Sequence, residues 1–331
     1  MKRESTHLKI LQLLKQDFGQ PISGTTLASL CGLSRTSIWK HVQNLKLLGY
    51  EITSHPKEGY RLTGLPDALI AEEIVPELHT SWAGRHLHHF AQIGSTNEVA
   101  MELALRGAPH GTVVIAEEQT QGKGRLSRSW ISSPRLGIYA SLVLRTPLPL
   151  MEAHHATSVA AVALSEVLIT IWTLPARIKW PNDILVNGRK IAGILTELQS
   201  DQDYTRFLVI GVGINVNHQP RDLEGPFRYP ATSVALECGR TTNRKDLLVQ
   251  FLARFENQYD LYLQEGFSAF LPRMELLSAV LGKRIRVLVG NREIRGRAAA
   301  FSPEGGLRVW DESGNEETIW AGDITRLEGM E

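Results

Sequence analysis

Apolar residues at Leu8, Leu11, Leu14 and Phe18 recur at helical spacing and predict a helix over His7–Phe18. Pro21 and Gly24 interrupt the pattern, a short helix fits Thr25–Leu30, and Gly32-Leu33 turns the chain. Ser34 is placed to cap a third helix, in which Ile38, Val42 and Leu45 share one face. Arg35, Thr36, Ser37, Lys40 and Asn44 fall mostly on the other face, and Gly49 ends the helix. Two short strands, Tyr50–Ser54 and Tyr60–Thr63, then flank a turn that carries Pro56, Lys57 and Gly59. Three helices followed by a hairpin make a helix-turn-helix with a wing. An apolar face anchors the third helix and leaves its N-terminal half free to enter a major groove.

Gly64-Leu65-Pro66-Asp67 marks a boundary, after which the pattern changes. Strands are expected at His86–Ile93, Thr112–Glu117, Gly137–Arg145, Ala176–Trp180, Ile184–Val186, Ile191–Leu198 and Phe207–Ile214. Helices are expected at Asn97–Arg106, Ala153–Trp172 and Lys245–Leu263, the second apolar enough to be buried. Asn187-Gly188 is a hairpin turn, and adjacent hairpins argue for a mixed or antiparallel α+β sheet, not a doubly wound one. Beyond Leu281-Gly282, short strands at Arg284–Val289, Glu293–Phe301, Leu307–Trp310 and Glu316–Trp320 suggest a small β-barrel packed on the central domain. The expected domains are therefore residues 1–64, 65–278 and 279–331.

Charge sharpens this division. The whole chain of 331 residues has a formal net charge of +1, but residues 1–64 carry +5 and the remainder −4. A basic N-terminal unit on a mildly acidic body suggests a nucleic-acid reader attached to something else. Arg35 and Asn44 have donors suited to base edges, Lys40 and Lys57 suit phosphates, and the hydroxyls of Thr36 and Ser37 serve either. Without the wing and the charge, a small helical protein-interaction module would be the favoured reading. The two cysteines, Cys31 and Cys238, lie far apart, which fits a reducing cytoplasm better than a disulfide scaffold. No cleavable signal opens the chain, and the apolar run Ala160–Leu174 is too short to span a bilayer.

Candidate chemistry clusters in four places. In Glu118-Gln119-Thr120-Gln121-Gly122-Lys123-Gly124-Arg125-Leu126-Ser127-Arg128-Ser129-Trp130, glycines and three cations sit between strands. Backbone amides freed by glycine, with added positive charge, suit an anion, although a solvated basic loop has the same composition. It is neither a Walker A loop nor a dinucleotide fingerprint, because Glu117 stands where glycine is needed and Ser127 occupies the third glycine position. Lys179-Trp180-Pro181-Asn182-Asp183 puts a cation at the end of an apolar strand, where it either faces an anion or snorkels to water. Ser95-Thr96-Asn97 is a helix cap or a set of hydroxyl and amide donors for a polar ring. Gly211-Val212-Gly213-Ile214-Asn215 runs a strand into a turn open to close ligand approach. No zinc motif or serine nucleophile elbow is present, so no protein-held metal is expected.

Taken together, and in this order along nearly the whole chain, these segments resemble the bacterial bifunctional biotin protein ligases that double as biotin operon repressors. The resemblance implies an α+β multidomain fold: a winged helix-turn-helix, a central mixed ligase domain like the class II synthetases, and a small SH3-like C-terminal barrel. It implies that biotin and ATP, with Mg²⁺, give biotinyl-5′-adenylate, and that biotin then passes to a lysine of a biotin carboxyl carrier protein. The carrier would belong to acetyl-CoA carboxylase or a similar carboxylase, and a homodimer would bind operator DNA with the adenylate as corepressor. By the same resemblance, Lys179 and Arg125 would be catalytic, and Ser95, Thr96, Asn97, Gln119, Lys123, Gly124, Arg125 and Lys179 would hold biotin. Gly122, Lys123, Arg125, Arg128, Trp130, Asn182 and Asn215 would hold ATP and the adenylate. Two departures stand out: Lys123 where the family usually has arginine, and Leu126-Ser127 where it often has Arg-Gly. Rival readings are a lipoate-type ligase, a biotin-sensing transcription factor with a dead ligase site, and a ligase whose winged helix no longer binds DNA.

Overall fold

The computed structural model describes residues 6–224 and 229–328; the outermost positions of the expected first and third domains lie outside that range. The chain resolves into two compact units that meet between Glu72 and Glu73.

The N-terminal unit holds α1 (Thr6–Gln16), β1 (Pro21–Ile22), α2 (Gly24–Cys31), α3 (Arg35–Leu47), β2 (Glu51–His55) and β3 (Gly59–Gly64). Ser34 caps α3 by accepting from the Ser37 amide at 3.1 Å. Ile38, Val42 and Leu45 are fully buried against Ile10, Leu14 and Leu27, so the apolar stripe of α3 sets which face is left for solvent. The wing pairs antiparallel in the order β1-β3-β2, the two-residue β1 being a strand that the hydrophobic pattern does not reveal.

The second unit begins in the short α4 (Ala71–Ile74) and contains β4 (Leu87–Phe90), α5 (Thr96–Leu105), β5 (Val113–Ala116), β6 (Gly137–Leu144), α6 (His155–Thr170), β7 (Ala176–Lys179), β8 (Asp183–Val186), β9 (Arg189–Asp201) and β10 (Tyr204–Asn215). Its seven strands form one mixed sheet in the order β4-β5-β6-β10-β9-β8-β7, with β4–β5 the parallel pair and the others antiparallel. All eight residues of β6 are buried, which explains its unbroken apolar run. Helix α6 is buried along nearly its whole length, as its composition predicts, and packs against α8 (Arg244–Glu265). α7 (Val234–Cys238) and α9 (Leu271–Leu277) complete the helices. The tail is a five-stranded antiparallel sheet, β14-β13-β12-β11-β15, built from β11 (Arg284–Val289), β12 (Arg292–Phe301), β13 (Leu307–Asp311), β14 (Glu316–Ile319) and β15 (Asp323–Leu327). Its fifth strand, β15, is absent from the pattern-based reading. The alternation of buried and exposed residues in β11 and β13 fits one covered and one open face.

Candidate functional site

Two contiguous cavities open over the mixed sheet. The smaller, about 50 Å³, is lined by Ser95, Thr96, Asn97, Gln119, Lys190, Gly193 and Gly211 among others. The larger, about 530 Å³, is lined by Arg128, Asp183, Asn215, His218, Tyr229 and Asp323 among others. Gly124, Arg125, Trp130, Asn182 and Lys190 belong to both walls, so they sit where the two meet.

The small cavity is polar and already hydrogen-bonded. Thr96, at the start of α5, donates through its amide to Gln119 Oε1 at 2.8 Å, and Gln119 Nε2 donates to Ser132 Oγ at 2.8 Å. Asn97 Nδ2 donates to Glu197 at 2.7 Å, while Asn97 Oδ1 accepts from Ser141 at 2.6 Å. Ser95, Thr96 and Asn97 are all buried, beyond what an ordinary surface cap requires. A Cβ on Gly211 would lie 2.1 Å from Asn97 Oδ1, and one on Gly213 would lie 2.4 Å from the Trp130 ring. These two glycines let Asn97 and Trp130 approach the backbone of the sheet closely.

The glycine-rich segment folds as a narrow loop closed by Trp130 N to Gly122 O at 2.8 Å and Gly124 N to Arg128 O at 2.7 Å. Leu126 and Ser127, the departures at its tip, both adopt left-handed backbone with φ of 55° and 57°. Its three cations have separate partners. Lys123 Nζ lies 2.6 Å from Glu98, and that bond raises the lysine above its ordinary pKa. Arg125 donates to Asn182 Oδ1 and Gly322 O, both at 3.1 Å, and burial pushes its guanidinium below the usual value. Arg128 pairs with Asp323, which raises it further. Asp323 begins β15 of the C-terminal sheet and Gly322 precedes it, so the tip of the loop is held by a segment distant in sequence.

Two lysines need to be told apart. Lys179 is 2% exposed, with Nζ 3.5 Å from the centre of the Tyr229 ring and 3.8 Å from Asp183 Oδ2, and it lines neither cavity. Lys190 lines both, with Nζ 2.7 Å from Asp183 Oδ1 and 5.2 Å over Trp130. The structure thus brings Ser95, Thr96, Asn97, Gln119, Gly124, Arg125, Arg128, Trp130, Asn182 and Asn215 to the cavity walls, with Lys123 at the rim, and leaves Lys179 beneath them. Lys190, Tyr229 and Asp323 escape sequence reasoning, and Asp183 is visible there only as the last residue of the Lys179–Asp183 segment, without a role of its own. Lys190 is the second residue of a strand that follows an Asn-Gly turn, a common place for a solvated lysine, and Asp323 has no local signal at all. His218 also lines the larger cavity; burial pushes it down to about 4, so it is neutral near pH 7.

In the N-terminal unit, Arg35, Thr36, Lys40 and Asn44 are exposed on α3 and Lys57 is exposed in the wing turn, while Ser37 is half-buried. Arg35, Thr36 and Lys57 line an open cleft of about 850 Å³ between the start of α3 and the wing. Trp39, which the sequence reading passes over, projects into the same cleft and is 52% exposed. Among the described residues no helix is long and apolar enough to cross a membrane.

Residues 89–215 match the Biotin/lipoate A/B protein ligase family, residues 6–61 an HTH domain, and residues 280–326 the Biotin protein ligase C terminal domain. The chain is 36% identical to the bifunctional ligase/repressor BirA of Bacillus subtilis over 97% of this chain and 99% of that one. It is 30% identical to the bifunctional ligase/repressor BirA of Escherichia coli over 93% of each. The solved biotin protein ligase of Aquifex aeolicus in complex with biotin and ATP superposes with a TM-score of 0.62 at 29% identity, covering 72% of this chain and 97% of that chain.

Proposed function

The chain belongs to the family of bifunctional biotin ligase/repressors, and from that premise we propose that it joins biotin to AMP and then to a carrier lysine, and represses transcription. The observation that carries the enzymatic half is the position of Lys190 and Arg125 at the junction of a hydrogen-bonded polar niche and a larger cation-rimmed cavity. Biotin's carboxylate and the triphosphate repel each other, so positive groups must stand where the two anions meet. The niche of Ser95, Thr96, Asn97 and Gln119 offers amide and hydroxyl groups for the ureido ring, and the larger cavity takes the nucleotide.

In the first step a carboxylate oxygen of biotin attacks the α-phosphorus of ATP, a P–O bond forms, and pyrophosphate leaves. In the second a carrier lysine amine attacks the mixed anhydride, an amide forms, and AMP leaves with the proton released to solvent. We assign the charge at the junction to Lys190, which is placed to touch both anions, and to Arg125, which Asn182 orients. Lys179 then acts from below, buttressing Tyr229 and Asp183. Arg128 and Lys123 steady the loop over the adenylate and keep water from it. Among the described residues no cluster of three potential metal ligands exists, so Mg²⁺ would be carried mainly by phosphate oxygens and water, with Asp183 or Asp323 as the carboxylate at hand. When bound it would draw charge from the leaving pyrophosphate.

We assign residues 1–64 to DNA recognition, 65–278 to catalysis and 279–331 to support of the loop. Adenylate-ordered closure would favour a homodimer, whose paired helices read a two-fold operator through Arg35, Thr36, Ser37, Lys40, Asn44 and Lys57. Incubation with biotin, ATP and Mg²⁺ should give pyrophosphate and a tightly held adenylate. Pyrophosphate release with lipoate but not biotin would replace this reading by a lipoate-type ligase.

A further inference from the structure

His218 follows the end of β10, and its backbone is pinned by Ser233 Oγ, which donates to the His218 carbonyl at 2.7 Å. The residue lines the larger cavity and is 1% exposed. Its Nε2 lies 3.2 Å from the Tyr139 hydroxyl, and that hydroxyl donates to Ser133 O at 2.9 Å. Burial holds Tyr139 well above its ordinary range, so it keeps its single proton. The Ser133 carbonyl can only accept and takes that proton, which leaves Tyr139 to meet His218 as an acceptor. His218 is neutral near pH 7, so its one proton sits on Nε2, the nitrogen that must donate to Tyr139. Nδ1 is then a bare acceptor, buried and without a partner among the described residues. A buried acceptor with no donor costs the fold stability until one reaches it.

We propose that His218 selects the base of the nucleotide, its Nδ1 accepting a hydrogen bond from the 6-amino group of a purine. Position argues for the base over the phosphates. Arg125 and Lys190 stand at the junction of the two cavities, where the anions meet, whereas His218 lines the larger cavity alone. Leu223, Tyr229 and Ala231 also line only that cavity and offer apolar surface to a flat ring. Asp222, a further residue of the same wall, would repel phosphate oxygens. Adenine carries a donor at C6, whereas guanine carries a carbonyl there, which would set two acceptors face to face. A site built to hydrogen-bond one group rejects an analogue without it, because the site's own polar atom is then left unpaired. His218 on this reading is a specificity residue and stands apart from the reacting atoms.

The inference rests on the ligase reading, with the nucleotide in the larger cavity, and kinetics separate the two. The parent chain is compared with His218→Leu, which removes the acceptor, and with His218→Gln, whose amide oxygen restores one. Pyrophosphate release with biotin is measured for ATP, for purine riboside 5′-triphosphate, which lacks the 6-amino group, and for 2′-deoxy-ATP. Biotin affinity by calorimetry and the thermal midpoint show that the variants fold. In the parent, KM for the purine analogue should exceed that for ATP roughly tenfold, the size of one hydrogen bond. In His218→Leu, KM for ATP should rise roughly tenfold with kcat retained, while KM for the analogue stays in place, so that the preference vanishes. His218→Gln should keep most of the preference. An equal preference in the parent and in His218→Leu overturns the proposal. So does a loss of discrimination between ATP and 2′-deoxy-ATP in His218→Leu with the purine preference intact, which would assign Nδ1 to the ribose. A parent chain that works equally well with ATP and the purine analogue overturns it without any variant. A parent chain that releases no pyrophosphate from ATP overturns the ligase reading itself, and this proposal with it.

Discussion

Replacing Lys190 by methionine keeps the aliphatic stem on Trp130 and removes one positive charge from the junction of the two cavities. The side chain is 27% exposed, so it works in partly screened surroundings. At an effective dielectric near 20, a unit charge about 4 Å from a phosphate or carboxylate contributes about 4 kcal/mol. Asp183, 2.7 Å away, already takes part of that field, so the net loss should be smaller. A loss of about 2.7 kcal/mol corresponds to roughly a hundredfold in rate, within the range seen when one preorganised stabilising donor is removed. The assay is pyrophosphate release from biotin and ATP, with the thermal midpoint measured alongside. Lys190→Met should fall about a hundredfold in kcat/KM with little change in stability. Lys179→Met, beneath the cavity, should instead lower the thermal midpoint, since it uncovers Tyr229 and leaves Asp183 with Lys190 alone. Lys190→Met within threefold of the parent, together with a hundredfold loss in a fully stable Lys179→Met, would refute the assignment.

Other perturbations test separate parts of the molecule. Gly211→Ala places a Cβ 2.1 Å from Asn97 Oδ1, which must give up its bond from Ser141. We expect weaker biotin binding by calorimetry and an overpacking cost of about 1–3 kcal/mol; unaltered affinity would remove Asn97 from the biotin niche. Burial pushes His155 down to about 4, against which its bond to Glu304 O at 2.9 Å has only a partial effect. The unfolded chain takes up this proton near pH 6.5, whereas the folded chain does so only near the depressed value. Stability is therefore full above about pH 6.5 and declines as pH falls toward about 4, and this one group should remove about 2 kcal/mol by pH 5. Urea unfolding at pH 7.5 and 5 should show that loss, and His155→Gln should lessen it; an equal pH dependence in the variant would discount the residue. Lys40→Ala should weaken operator binding and reduce the salt slope by about one, and an unaltered slope would take Lys40 off the phosphates.

The hydrophobic pattern alone established the three helices and wing, the buried α6, and most strands of both sheets. Helices α1 and α3 have a clear helical period, whereas α6 and β6 are legible from unbroken apolar composition, which marks burial on every side. The pattern left out α4, α7, α9, β1 and β15, which are short and draw their definition from neighbours rather than from a repeat of their own. The niche of Thr96, Asn97 and Gln119 was visible as residue types, and folding added their burial and mutual bonding. The burial of Lys179 and the opening of Lys190 to the cavity were not visible. Both are single lysines at strand ends, and only the closure of the sheet sets Tyr229 over one and opens the other to the cavity. The latch of Arg125 and Arg128 onto Gly322 and Asp323 joins residues almost two hundred positions apart. Local sequence encodes which face of an element is apolar, but contacts across such separations exist only once the faces have packed, and there the tertiary structure decided which side chains meet.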